Sequence, residues 1–80
     1  MIFTSDYDCE IIQKTAIKKI NEGEDKRAWL SNVLDVCLMG NLEYLQKAQI
    51  IDKIELNNSD FFNEVHTREE IKKFCKEITK

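Results

Sequence analysis

Eighty residues make one domain at most, and at that length a chain buries only roughly 60% of the surface it exposes when unfolded. Hydrophobic residues are 42% of the chain and charged residues 34%, which fits a folded chain rather than a disordered one. Twelve basic residues against fifteen acidic ones give a net charge of −3, which argues against a dominant nucleic-acid footprint.

The absence of proline and the two glycines favour helix over a turn-rich β sandwich. The longest apolar run, residues 36–39, is too short to cross a bilayer. The opening residues lack the basic and apolar regions of a secretory signal. Ile2 leaves no glycine to myristoylate, and no CaaX box ends the sequence. A cytoplasmic protein without lipid anchor or membrane span is therefore expected.

The pattern predicts four main helices. The first begins near Ser5 or Asp6, where Ser5 and Asp8 have capping-box spacing. Acidic Asp6, Asp8 and Glu10 come early and Lys14, Lys18 and Lys19 late, as the helix dipole favours. Cys9, Ile12, Ala16 and Ile20 make one apolar face, and Gly23 is a natural C-terminal cap. Tyr7 and Ile11 lie off that face and form a second, smaller patch. Residues 1–4 read equally as a short strand or an extended arm.

The second helix is expected over residues 25–39, ending at Gly40. Trp29, Leu30, Val33, Leu34, Val36, Cys37 and Leu38 span an arc of roughly 200° on it. So wide a face belongs either to the central helix of a bundle or to a helix shared with another subunit. Trp29, the largest hydrophobe, reads as a core anchor or as a partner hot spot.

Gly40 and Asn41 form a short link, with Asn41 as cap of a third helix over residues 42–56. Leu45, Ala48 and Ile51 make its expected core stripe. Ile50 then projects about 140° from Leu45, among Glu43, Gln46, Lys47 and Lys53, and Ile54 sits at the edge of the same polar face. That placement offers Ile50 and Ile54 to a partner. Residues 40–45 resemble the middle of an ankyrin repeat, but no second copy follows, and such repeats need stacked neighbours. The resemblance therefore implies nothing for this chain.

Residues 57–60 are a loop rich in capping groups, and Phe61, Phe62 and Val65 fit a fifth, short helical turn around residues 59–65. Thr67 and Glu70 have the spacing of a capping box. Ile71, Phe74, Cys75 and Ile78 then make a narrow stripe, so the fourth helix lies outside the bundle. The fold class is all-α, a compact four-helix bundle over residues 1–80 without an internal linker.

Candidate chemistry is sparse. Cys9, Cys37 and Cys75 form no CxxC, and their odd number does not read as a disulfide framework. Each falls on a helical apolar stripe, as buried free thiols do in a reducing compartment. His66 stands alone, with Glu70 four residues on, a spacing more often used for a cap or surface contact than for a metal ligand. No P-loop, GxGxxG, GxSxG or HExxH is present. No catalytic residue, metal or cofactor is expected.

The leading reading is a small acidic regulatory protein that binds another protein, of inhibitor, antitoxin, phage anti-defence or connector type. Tyr7, Ile11, Ile50, Ile54 and Trp29 are its candidate contacts. The alternative is a helix-turn-helix-like DNA-binding regulator using Arg68, Lys72, Lys73, Lys76 and Lys80. Over residues 68–80 five basic groups face three acidic ones, although the acidic balance of the whole chain weighs against nucleic acid. A homodimer closing over the wide apolar face of the second helix is compatible with either.

Overall fold

The structure is a computed structural model and describes residues 6–38, 43–57 and 60–79, apart from the side chains of Asp6, Tyr7 and Tyr44. Four helices follow in order: α1 (Asp6–Asn21), α2 (Lys26–Cys37), α3 (Tyr44–Leu56) and α4 (Arg68–Ile78). A 3-10 turn at Phe61–Asn63 precedes α4, and no strand occurs among the described residues. The fold is the all-α bundle that the periodicity implies. The expected cap at Ser5, the first four residues and the Gly40-Asn41 link lie outside the described residues.

Local signals set most of the boundaries. The chain leaves α1 through Gly23, whose φ of +99° would strain any residue with a Cβ. Asp25 caps α2 by accepting from the backbone N–H of Arg27 at 3.0 Å. Helix α3 starts two residues later than expected, capped by Glu43, whose N–H donates to the Gln46 side chain at 3.2 Å. At α4 the capping box is complete. The Thr67 hydroxyl accepts from Glu70 N at 3.2 Å, and Glu70 Oε1 accepts from Thr67 N at 3.0 Å.

One contiguous buried cluster draws on every helix: Cys9 and Ala16; Leu30, Val33, Leu34 and Cys37; Ile50, Ile51 and Ile54; Ile71 and Cys75. Phe62 of the 3-10 turn joins it. Beside it Phe61 stacks between His66, at 3.8 Å, and Phe74, at 4.1 Å. Helices α1 and α2 run antiparallel, since Cys9 near the start of one is joined to Cys37 at the end of the other. Antiparallel α2 and α3 are joined by ion pairs from Lys47 to Asp35 at 3.0 Å and from Arg27 to Asp52 at 2.8 Å and Glu55 at 3.1 Å.

Four expectations are corrected here. First, Cys9 and Cys37 are a disulfide rather than two free thiols, and only Cys75 is free. Spacing along the sequence could not reveal this pair, because packing of α1 on α2 brings the two Cα atoms to 4.8 Å. Second, the wide apolar face of α2 is not left for another subunit, because Leu30, Val33, Leu34, Val36, Cys37 and Leu38 are all buried within this chain. Third, α3 is rotated from the expected phase. Ile50 and Ile54 are core residues, 4% and 1% exposed, whereas Leu45 is 71% exposed. The inward stripe is Lys47, Ile50, Ile51 and Ile54. Its lysine is half-buried, laying its stem along the apolar surface and extending its ammonium to Asp35. Fourth, Arg68 is buried, because it shares a face with Ile71 and Cys75 at i, i+3 and i+7.

A buried polar residue that the apolar pattern passes over ties the two ends of the fold together. Gln13 of α1 sits in the core, its carboxamide aimed at the backbone just before α4. Its Nε2 donates to His66 O at 2.7 Å and to Cys9 O at 3.1 Å, while its Oε1 accepts from His66 N at 2.9 Å. His66 is thereby fixed immediately before the Thr67 cap. On its ring, Nε2 lies 2.7 Å from Phe61 O and Nδ1 lies 3.7 Å from Glu70 Oε2.

Candidate partner-binding groove

Between α3 and α4 lies an open groove of about 750 Å³. Its apolar floor is Leu38 from the end of α2, Ile50 from α3 and Cys75 from α4. Gln46 and Gln49 line the α3 side. The α4 side carries Lys72, Lys73 and Lys76, with Glu69 as the only acid among the described lining residues.

Helical geometry creates this asymmetry. In α4 the residues at i, i+3 and i+7 from Arg68 turn into the core. Lys72, Lys73 and Lys76 fall on the remaining arc and are exposed. Glu69 lies 3.8 Å from Lys72, an exposed i, i+3 pair of small energetic value. Lys73 and Lys76 have no ion-pair partner among the described residues. A chain of net charge −3 thus concentrates positive charge along one wall of this groove.

Two chemical features of the groove can be read directly. Burial raises the Cys75 thiol to about 11, so at neutral pH it is protonated and a poor nucleophile. The Thr79 hydroxyl at the rim donates to Cys75 O at 2.9 Å, closing the last turn of α4. Among the described residues no group of three or more His, Cys, Asp or Glu side chains converges as a metal site.

The residues singled out from the sequence are not gathered into one surface. Ile11 is 42% exposed on α1, a helix that does not line the groove. The Tyr7 side chain lies outside the described residues. Trp29 is half-buried against the core, its indole N–H donating to Glu24 at 3.0 Å, so it combines core anchoring with an exposed edge. Ile50 belongs to the groove, but as its floor. Ile54 is sealed in the core. Of the basic set, Lys72, Lys73 and Lys76 share the groove wall, Arg68 faces inward, and Lys80 lies outside the described residues.

Leu38, Gln46 and Gln49 were not legible as site residues. Their meeting with the lysines depends on the rotation of α3 and the crossing of α4 beside it. No helix among the described residues is long and apolar enough to cross a membrane. Comparison with protein-family models, curated proteins and solved structures finds no match to this chain.

Proposed function

We propose that this protein acts by binding another protein, and that the groove between α3 and α4 receives an amphipathic, acidic segment of that partner. The observation that carries the reading is the pairing of an apolar floor, Leu38, Ile50 and Cys75, with a wall of three lysines. A helix laid in such a groove would place apolar residues at i, i+3 or i+4 and i+7 on the floor. Carboxylates on its flank would meet Lys73 and Lys76, speeding encounter and fixing register. Binding of this kind suits a regulator that works by occupancy, whether as inhibitor, antitoxin, anti-defence protein or connector.

The test is selection from a displayed library of random peptides, each about 16 residues long so as to span the helical anchors, followed by NMR titration of the winners. The expected peptides are acidic and amphipathic and shift the amides of Leu38, Ile50 and Cys75. They lose at least about tenfold in affinity, roughly 1.4 kcal/mol, against the Lys73→Glu/Lys76→Glu variant. Peptides that ignore the charge reversal would refute the groove. Duplex DNA binding at low salt that falls steeply as salt rises would transfer the lysine wall to nucleic acid instead.

A further inference from the structure

Helix α3 has a second face, turned away from the core, whose residues are ordered palindromically. Leu45, Gln49, Asp52 and Leu56 follow one another at spacings of four, three and four residues. They share one side of α3, and all four are exposed. Leu45 and Leu56 are the most exposed large hydrophobics among the described residues, at 71% and 76%. A single exposed leucine needs no explanation. Two leucines closing a symmetric heptad stripe around a central polar pair are a different matter, because the stripe is complementary to itself when reversed.

We infer that this face pairs with a second copy of the chain, α3 against α3, antiparallel and about a two-fold axis near the middle of the helix. In an antiparallel two-helix seam each a position meets a d position of the other helix. Here Leu45 meets Leu56 of the second copy, Gln49 meets Asp52, and the same contacts recur on the other side of the axis. The leucines stand eleven residues apart, about 16 Å along the helix, so they close both ends of the seam.

At its centre the Gln49 amide donates to the Asp52 carboxylate of the other copy. Arg27 already holds Asp52 Oδ1 at 2.8 Å, which fixes that carboxylate and leaves its other oxygen to accept. Flanking positions bring no like charges together, since Lys53 falls opposite Gln46 and Glu55 opposite Ala48. The polar centre fixes the register, as a polar core pair does in coiled coils. With one helix of thirteen residues per copy the interface belongs to the small, reversible class. Dissociation is expected on the order of 0.1 mM.

Sedimentation equilibrium of the whole chain between roughly 10 µM and 1 mM, a range set by that affinity class, tests the pairing. The variants are Leu45→Glu and Leu56→Lys, which place charges that suit the helix dipole at exposed positions and leave the fold intact. Each single variant should weaken association at least about tenfold, because it sets a charge against leucine. The double variant Leu45→Glu/Leu56→Lys should recover most of it, because only the antiparallel register places the new carboxylate at position 45 opposite the new ammonium at position 56 of the other copy. A wild-type protein that stays monomeric at about 1 mM overturns the proposal. So does a single variant that associates like the wild type, or a double variant as weak as the singles. The seam shares Gln46 and Gln49 with the α3 side of the groove, so association is measured without peptide; none of the substitutions touches the groove floor or its lysines, and peptide binding by the monomeric variants reports on the groove separately.

Discussion

Replacing Gln13 with leucine isolates the contribution of the carboxamide that ties α1 to the start of α4. Leucine has nearly the same volume and keeps water out, but it cannot serve His66 N–H or His66 C=O, now 2.9 and 2.7 Å from Gln13. A partly buried backbone group left without its partner costs about 1–3 kcal/mol, so the pair amounts to about 2–6 kcal/mol. A chain of this size is stable by only about 4–12 kcal/mol. The loss should lower the midpoint of thermal unfolding by at least about 10 °C, followed by circular dichroism under fixed redox conditions. Gln13→Glu sharpens the test. At neutral pH its carboxylate must face the His66 carbonyl where an N–H now donates, and burial favours the protonated acid. Because the folded state then binds a proton more tightly than the unfolded chain, this variant should gain stability as pH is lowered from 7. A Gln13→Leu protein within about 0.5 kcal/mol of wild type, the range of an inconsequential surface change, would refute the claim that these bonds hold α4 in place.

Three further outcomes are expected. Thiol titration of the denatured, unreduced chain should find one reactive cysteine, Cys75, and reduction should expose all three; the Cys9–Cys37 link closes 28 residues, and its loss should cost about 3.5 kcal/mol by the chain-entropy model. Three reactive thiols without reductant would contradict the pairing. Ile50→Ala should cost about 2–4 kcal/mol in chemical denaturation, whereas Leu45→Ala should stay within about 0.5 kcal/mol; the reverse order would restore the phase of α3 first read from the sequence. Hydrogen bonds from the Thr67 backbone and side chain hold the Glu70 carboxyl below its ordinary value of 4.5. Its stabilising effect is therefore present above pH 4.5 and lost as pH falls through the lower folded value. The stability gap between wild type and Glu70→Gln should be constant near neutrality and shrink below pH 4.5, and a gap that persists well into acid would show that the charge is not its source.

Features carried by short-range rules are legible in the sequence. The Thr67–Glu70 capping box, the stripe of α4 and the Gly23 exit from α1 need only neighbours in sequence. What escaped depends on groups far apart. Gln13 reads as a polar interruption of the α1 stripe until His66, 53 residues away, supplies its backbone. Cys9 and Cys37 read as small hydrophobes until two helices pack. Arg68 counts as surface charge only if its position at i−3 from Ile71 is overlooked. The groove depends on the way α3 turns.

That turn is a close contest. Two phases of α3 differ by roughly 110° of rotation, and both bury a substantial apolar set. One would bury Leu45 with Ala48 and Ile51. The other buries Ile50 and Ile54 with Ile51. Leucine and isoleucine are worth nearly the same on burial, about 1.5–3 kcal/mol each, so the sets differ by Ile54 against Ala48, a difference on the order of 2 kcal/mol that already favours the second. Polar contacts to α2 favour one of them. Only in the observed phase does Lys47 reach Asp35 while Asp52 and Glu55 both reach Arg27. Each such pair is worth at most about 1 kcal/mol when exposed, and all three pull the same way as the apolar difference. A helical wheel counts Lys47 against its own stripe and so picks the other phase. The outward leucines, Leu45 and Leu56, are the apolar surface of the phase the monomer did not adopt. Their symmetric spacing gives that surface a use that folding of one chain leaves open.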